Sequence, residues 1–372
     1  MWLLNRPLNP SVAQLGYFAL SVVLTGLGFF VEQVPFTLAY IPLALAICHT
    51  DRSRTLWLVC GHFTWVAVIS GWGLHQLGYN PALTIPAVLV TLALSTFVMT
   101  WLGIGLSSAL LSLVPFFPAN PLLITGAVFP GFGIWGVAAL LLVIIGVEAL
   151  CRPLARTCVL AAVLIAGQML PALQPSSGPP EDTKRYVEID ISSHKAITRS
   201  GQWAQIAAVI EDGSTVILGE NIFNHTDIGA SAYWCRVATV KNATLYIGVM
   251  EKDGVGEVWG FEGRDCAVPS VAYRAEVGIP KISGGWLPNH AEVQSTPSGQ
   301  QWLACFEGFS LYRWVRAYTT GATSVVIVSN DRLTRPIPTA VLRRKVSRQF
   351  AELFGLDVAH ADTGRSILIV RQ

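Results

Sequence analysis

The sequence predicts a multi-pass α-helical membrane bundle followed by a water-soluble α/β domain. Two observations predict it, the placement of charge and the length of the apolar runs. Of 372 residues, 52% are hydrophobic and only 13% charged, against about 25% charged in an ordinary soluble domain. Up to Leu173 there are three acids (Glu32, Asp51, Glu148) and five bases (Arg6, Arg52, Arg54, Arg152, Arg156), which leaves 20 of the 25 basic and 20 of the 23 acidic residues after it. Lipid is therefore the expected solvent of the first part and water that of the second. A net charge of +2, evenly spread, argues against direct nucleic-acid binding.

A bilayer core about 30 Å thick needs roughly 20 apolar residues per helix. Runs of that kind lie at 13–31, 35–49, 55–74, 82–102, 104–118, 131–150 and 155–173. The second is short. Residues 104–130 are interrupted by Pro115, Pro118, Pro121 and Pro130, so this stretch reads as one span, a broken helix or a re-entrant piece. About seven spans are expected, with five to eight allowed. With seven, all five arginines of the apolar half fall on one side. The positive-inside rule makes that side the cytoplasm and puts the soluble half on the periplasmic side of a bacterial inner membrane. The first segment runs from Gly16 into Glu32-Gln33-Val34-Pro35 without an Ala-x-Ala site, so it reads as an uncleaved helix. His49, His62 and His75 read as helix-end residues or inter-helix hydrogen-bond partners, and no chain of intramembrane acids and bases marks a proton path.

The proline-rich run 171–180 closes the apolar region, giving a bundle over 1–173, a linker over 174–184 and a single domain over 185–372. Within that domain, strand patterns occur at 187–191, 215–218, 244–250, 257–261, 268–273, 301–305, 324–329 and 367–370. Helical spacing occurs at 202–210, 230–240, 309–319 and 340–354. Such mixing predicts sheets covered by helices.

Two residues sit at the C-terminal ends of apolar strands, where α/β enzymes place chemistry. Glu220 follows Val216-Ile217-Leu218-Gly219, and Cys305 follows Trp302-Leu303-Ala304. A thiolate attacks amides and esters, and a nearby carboxylate can serve as its base. A lone cysteine after a strand is equally at home as a small buried hydrophobe.

The order of these features resembles apolipoprotein N-acyltransferase, in which a periplasmic nitrilase-type (carbon–nitrogen hydrolase) domain of αββα sandwich form is mounted on membrane helices. Gly219-Glu220 resembles the family's Pro-Glu strand end and implies Glu220 as general base. Cys305-Phe306-Glu307 resembles its Cys-Tyr-Glu and implies Cys305 as nucleophile with Glu307 as a supporting carboxylate. The segments from Phe309 to Asp331 and Asp362-Thr363-Gly364-Arg365-Ser366 are similar to those that follow the nucleophile and close the domain. The resemblance covers nearly the whole chain in layout and few identities, with the Cys305 block the most specific.

Two departures stand out. The family's Tyr-x-Lys corresponds to Tyr273-Arg274-Ala275, so alanine holds the catalytic lysine's place, with Arg274 or Lys281 as nearby cations. Arginine stays protonated and can stabilise an oxyanion, but it is a poor proton shuttle. The acyltransferases also end in a further membrane helix, which the residues up to Gln372 do not provide. The stretch 273–288, with Val-Gly-Ile-Pro and Gly-Gly-Trp-Leu-Pro, is similar to TraB, the membrane proteins of plasmid conjugal transfer. That resemblance implies a role in conjugation, either as a thiol enzyme acting on a lipid-borne or membrane-anchored acyl substrate or as a degenerate fold that binds conjugation proteins.

Cys235 and Cys266 are candidates to pair in an oxidising compartment, leaving Cys305 free. No Cys/His spacing resembles a metal site, and no glycine loop has a cofactor context. Arg343-Arg344-Lys345 reads as a solvated helix face.

Overall fold

The computed structural model describes residues 11–49, 51–76, 80–112, 120–150, 155–159, 162, 186–191, 199–220, 222–224, 227, 229–250, 256–262, 270–274, 299–330, 337–363 and 365–370, with backbone alone at 73, 74, 76, 111, 112, 199, 200, 224, 250, 256, 274, 305 and 306. The chain divides into two units, Met1–Leu173 with Pro336–Gln349, and Gln174–Arg335 with Phe350–Gln372.

In the first unit, Ser11 opens helix α1 (Val12–Phe30) through a capping box, its hydroxyl accepting from the Gln14 amide while Gln14 Oε1 accepts from the Ser11 amide. A 3-10 turn (Phe36–Tyr40) leads into α2 (Ile41–Cys48), followed by α3 (Arg52–Gln76) and α4 (Pro81–Leu102). Asn80 caps α4, with Pro81 at the first helical position, where its missing N–H costs nothing. Then come α5 (Ile104–Ser112), α6 (Thr125–Val128) and α7 (Gly133–Ala149). Among the described residues, three helices are long and apolar enough to cross a membrane: α1, the Arg52–Trp72 part of α3, and α4. A fourth is added if Pro121–Val128 and Gly133–Ala149, bent by 117°, make one span. The apolar helix Phe36–Cys48 is shorter. Of the expected spans 104–118 and 155–173, residues 113–118, 160, 161 and 163–173 lie outside the described residues.

Side chains that lipid cannot compete for hold α1 to α3. Ser21 Oγ donates to the Leu58 carbonyl at 2.6 Å, Trp65 Nε1 to that of Val22 at 2.8 Å, and Thr25 Oγ1 lies 3.1 Å from His62 Nδ1. His62 is therefore an inter-helix hydrogen-bond partner, as its position suggested. Gly61 lets the backbones meet, because a Cβ there would stand 2.7 Å from the Phe18 carbonyl oxygen. The outer face of α4 leaves Leu83, Ile85, Leu89, Val90, Leu94 and Phe97 more than half exposed, an apolar stripe suited to lipid.

Charged groups sit at helix ends. Arg156 donates to the carbonyls of Ile47, Glu148 and Leu150, capping α2 and α7. Glu148 accepts from the amides of Ile104 (2.6 Å) and Gly105 (3.0 Å) at the positive end of α5. Arg54 lies over Tyr17 and Arg52 over Trp101, so the described arginines of the apolar half gather at one end of the helices. At the other end of α1, Lys345 Nζ donates to the carbonyls of Gly28, Val31 and Val34 at 2.8, 2.6 and 2.6 Å. This corrects the reading of Arg343-Arg344-Lys345 as a solvated face: Arg343 is 3% exposed, and Lys345 is a helix cap. Burial pushes the Lys345 ammonium below the usual lysine range, Glu32 opposing and Arg348 adding to the shift.

The second unit contains β1 (Tyr186–Asp190), α8 (Arg199–Ala208), β2 (Thr215–Ile217), β3 (Phe223–Asn224), α9 (Ala230–Lys241), β4 (Thr244–Met250), β5 (Gly256–Glu262), β6 (Ser270–Arg274), β7 (Gln300–Ala304), α10 (Leu311–Thr319), β8 (Ser324–Ser329), α11 (Thr339–Phe354, which begins in the first unit), β9 (Asp357–Asp362) and β10 (Ser366–Val370). The strands hydrogen-bond in the order β6-β5-β4-β2-β10-β9-β8-β7, with β1 beside β10 and β3 beside β4.

Period-two alternation divides the strand residues between two cores. Val216 and Leu218, Leu245, Ile247 and Val249, and Ile367 pack with Ile206 of α8 and Trp234 of α9. Their alternates Ile217 and Leu368 pack with Val258, Tyr273, Trp302, Val326, Val328, Ala359 and Ala361. Strands from opposite ends of the order thus share one core, and Tyr246 meets Trp302 at 5.3 Å between ring centroids. The sheet folds back on itself near β10, which among the described residues pairs with β9 at Ser366↔Asp362.

Candidate active site

The C-terminal ends of β2, β7, β8 and β9 converge. β7 and β8 run parallel, with Ala304 opposite Val328 as the last pair. Cys305 follows directly and begins a 3-10 turn, Cys305–Phe309; its side chain lies outside the described residues. Ser329, one residue beyond Val328, offers its carbonyl to two amides, Glu220 at 3.1 Å and Thr363 at 2.9 Å. Cys305 and Glu220 therefore flank the same strand end.

Glu220 is buried and held by its backbone from three sides. Its amide bonds Ser329, its carbonyl accepts from Thr363 Oγ1, and the next described residue, Ile222, donates to Gly248 at 2.9 Å. Gly219 makes this approach possible, since a Cβ there would collide with the Thr363 backbone nitrogen. Thr363 belongs to the Asp362–Ser366 segment picked out by resemblance, and Ser329 to the Phe309–Asp331 segment picked out in the same way. The structure brings both to Glu220. Ser329 Oγ also donates to Asp362 Oδ1.

Glu307 is 1% exposed. Its Oε2 accepts from Tyr273 Oη and from the Ala304 amide (2.8 Å), and its Oε1 forms an ion pair with Arg313 Nη2 at 2.6 Å. Arg313 Nη2 also donates to Tyr273 Oη at 3.3 Å. The carboxylate thus reaches back to the residue before Cys305 and ties the start of the turn to β6 and α10. Tyr246, beside Trp302 on the strand that carries this turn, has its phenol pushed up by burial and by the Glu262 carboxylate.

Of the residues expected from sequence, Glu220, Glu307 and the Cys305 backbone come together. Arg274 ends β6 opposite Glu257. Its side chain, Ala275 and Lys281 lie outside the described residues. Cys235 on α9 is disulfide-bonded, and Cys266, the partner considered for it, also lies outside them. The sequence does not single out Arg313. Its signal is a place on the apolar stripe of an amphipathic helix, beside Trp314 and Ala317, where an arginine needs a buried anion. No protein-family model and no curated protein matches the chain.

Proposed function

We propose that the chain is a membrane-anchored, nitrilase-like protein of about seven spans. In this reading Cys305 and Glu220 perform thiol-dependent acyl transfer or amide hydrolysis on a membrane-associated acyl substrate, in the setting of plasmid conjugal transfer. The observation that carries the chemistry is the convergence of Glu220 and the Cys305 turn on the end of β8. Glu220 takes the thiol proton, and the thiolate attacks the acyl carbonyl. The carbonyl–heteroatom bond breaks, the departing amine or alcohol leaves with that proton, and an acyl-thioester remains on Cys305. An incoming amine or water then releases the acyl group and the thiol is restored. The αββα form is supported by a sheet folded on itself with helices against its outer core.

The sidedness is supported by the arginines of the apolar half: Arg52, Arg54 and Arg156 gather near the start of α1. The disulfide at Cys235 fits an oxidising compartment for the soluble half.

The full-length protein in membranes, treated with an alkyne-tagged acyl nitrophenyl ester, should carry the acyl group on the Cys305 peptide. Cys305→Ala and Glu220→Gln should lose it. Equal labelling of Cys305→Ala sinks the enzyme reading.

Ala275 at the lysine's place favours a second reading, a catalytically degenerate fold that binds proteins of the conjugation machinery. That reading expects Cys305→Ala to transfer plasmid at the wild-type frequency while surface changes on the soluble half lower it.

A further inference from the structure

We infer that Arg313 is a positioning residue for the nucleophile. It acts through Glu307, whose carboxylate fixes the backbone from which Cys305 projects. The inference rests on the reading of Cys305 as the reactive thiol and deepens it.

Three observations carry it. Glu307 Oε2 accepts from the Ala304 amide at 2.8 Å, so the carboxylate grips the peptide next to Cys305, at the point where β7 gives way to the 3-10 turn. Arg313 Nη2 reaches the other oxygen at 2.6 Å, with both groups almost fully buried, 4% and 1% exposed. A carboxylate in such a place is held by its cation and its hydrogen bonds, because water cannot supply them. The third is Tyr273, two residues before Ala275. Its hydroxyl donates to Glu307 and accepts from the same guanidinium nitrogen, which closes a three-member network.

The two oxygens of Glu307 have separate tasks, one meeting the cation and the other the turn. A guanidinium 2.6 Å from Glu307 is an anchor for the turn, and its charge is already matched by that carboxylate. The cation that faces a substrate oxyanion must then come from elsewhere, or backbone N–H groups must serve alone.

The test is a double-mutant cycle on the full-length protein in detergent, with Arg313→Met, Glu307→Gln and the pair combined. The readout is the rate of acyl-thioester formation on the Cys305 peptide by mass spectrometry. Thermal midpoints are recorded alongside. Each single change should slow acylation by on the order of tenfold. The double variant should be no slower than the slower single, because the effect of Arg313 on the turn passes through the Glu307 carboxylate that both changes disable. Arg313→Lys should recover part of the rate, since an ammonium can still reach the carboxylate. Tyr273→Phe, which removes one hydroxyl and leaves the Arg313–Glu307 ion pair in place, should slow acylation while moving the thermal midpoint less than Glu307→Gln or Arg313→Met does.

Multiplying effects, about a hundredfold in the double variant, would overturn the inference, as would single variants that acylate at the wild-type rate. If wild-type Cys305 takes no acyl group, the parent reading fails by itself. The cycle is then read on iodoacetamide alkylation of Cys305, where equal rates in the two singles and the double, all different from wild type, still support positioning. Unchanged alkylation throughout would refute it.

Discussion

Replacing Lys345 with methionine tests how α1 ends. The two side chains are similar in length, so packing along the stem survives while the ammonium is lost. Three carbonyls then lose the ammonium, that of Gly28 in the last turn of α1 and those of Val31 and Val34 just beyond it, while the Val31 carbonyl keeps the Val34 amide at 3.1 Å. A hydrogen bond to a charged group contributes about 1.5–3 kcal/mol, and a cation at a helix C-terminus adds about 0.3–1 kcal/mol. Burial of the ammonium opposes these gains, as the lowered Lys345 pKa records. A net loss of about 1–3 kcal/mol follows, or roughly 3–10 °C in the unfolding midpoint. The assay is thermal unfolding in detergent, followed by reaction of a fluorogenic maleimide with Cys60, a free and half-buried thiol on α3. The pH dependence has a definite sign. The folded-state pKa of Lys345 lies below that of an unfolded lysine, about 10.4. Between the two values the unfolded chain holds the extra proton, so stability attributable to this group rises with pH through that window and is at its minimum below it. Lys345→Met should flatten the alkaline rise as well as lower the neutral midpoint. An unchanged midpoint at neutral pH would refute the cap, and an unchanged alkaline limb would refute the burial cost.

Other changes follow the same logic. Glu307→Ala removes the carboxylate 2.6 Å from the buried Arg313 guanidinium and should destabilise the second unit by about 3–5 kcal/mol in urea unfolding followed by tryptophan fluorescence. Gly219→Ala forces the Thr363 backbone away from the Glu220 strand end; a loss of about 1–3 kcal/mol, with acylation of Cys305 falling further than stability accounts for, is expected. Glu148→Gln weakens two hydrogen bonds at the start of α5 and should lower stability by about 1 kcal/mol in the maleimide assay. Reducing the Cys235 disulfide should lower the midpoint of the soluble unit by the equivalent of about 2–4 kcal/mol, measured by unfolding with and without dithiothreitol.

The apolar helices were legible because lipid imposes a simple demand. A run about 20 residues long without charges has few other uses, and α1, α3 and α4 lie where such runs occur. The bend of 117° between Pro121–Val128 and Gly133–Ala149 was legible only as a run of prolines, since prolines mark where a helix ends and not how the next one leaves. Strand β9 was missed for a physical reason. Asp-Val-Ala-His-Ala-Asp lacks β-branched density, and its core face is only the two small residues Ala359 and Ala361, yet it runs parallel to β8 with His360 and Asp362 buried. Lys345 was misread because three charges in a helix look like a solvent face, and the carbonyls that Lys345 meets lie more than 300 residues earlier.

The same blindness to distant partners bears on how the two functional readings divide. A buried ion pair contributes little net stability, because well-packed apolar residues in its place are often neutral or stabilising. Glu307 and Arg313 are therefore poorly explained as reinforcement of the soluble unit. What the pair supplies is geometry, an anion held where it can accept from the Ala304 amide and set the first residue of the turn. A surface that only binds partners gains nothing from fixing the backbone under Cys305, whereas attack on a carbonyl depends on the thiol's placement to within a fraction of an ångström. Under the proposed reading the buried pair weighs toward chemistry at Cys305, and Ala275 departs from the proton relay of the acyltransferases that the sequence resembles. That reading then calls for a thiol site with Glu220 as its base and without the lysine, one that should acylate readily and turn over slowly. An acyl-thioester on Cys305 that persists after excess ester is removed is the result this combination requires. Release of the acyl group as fast as it is loaded would mean that another cation does the lysine's work.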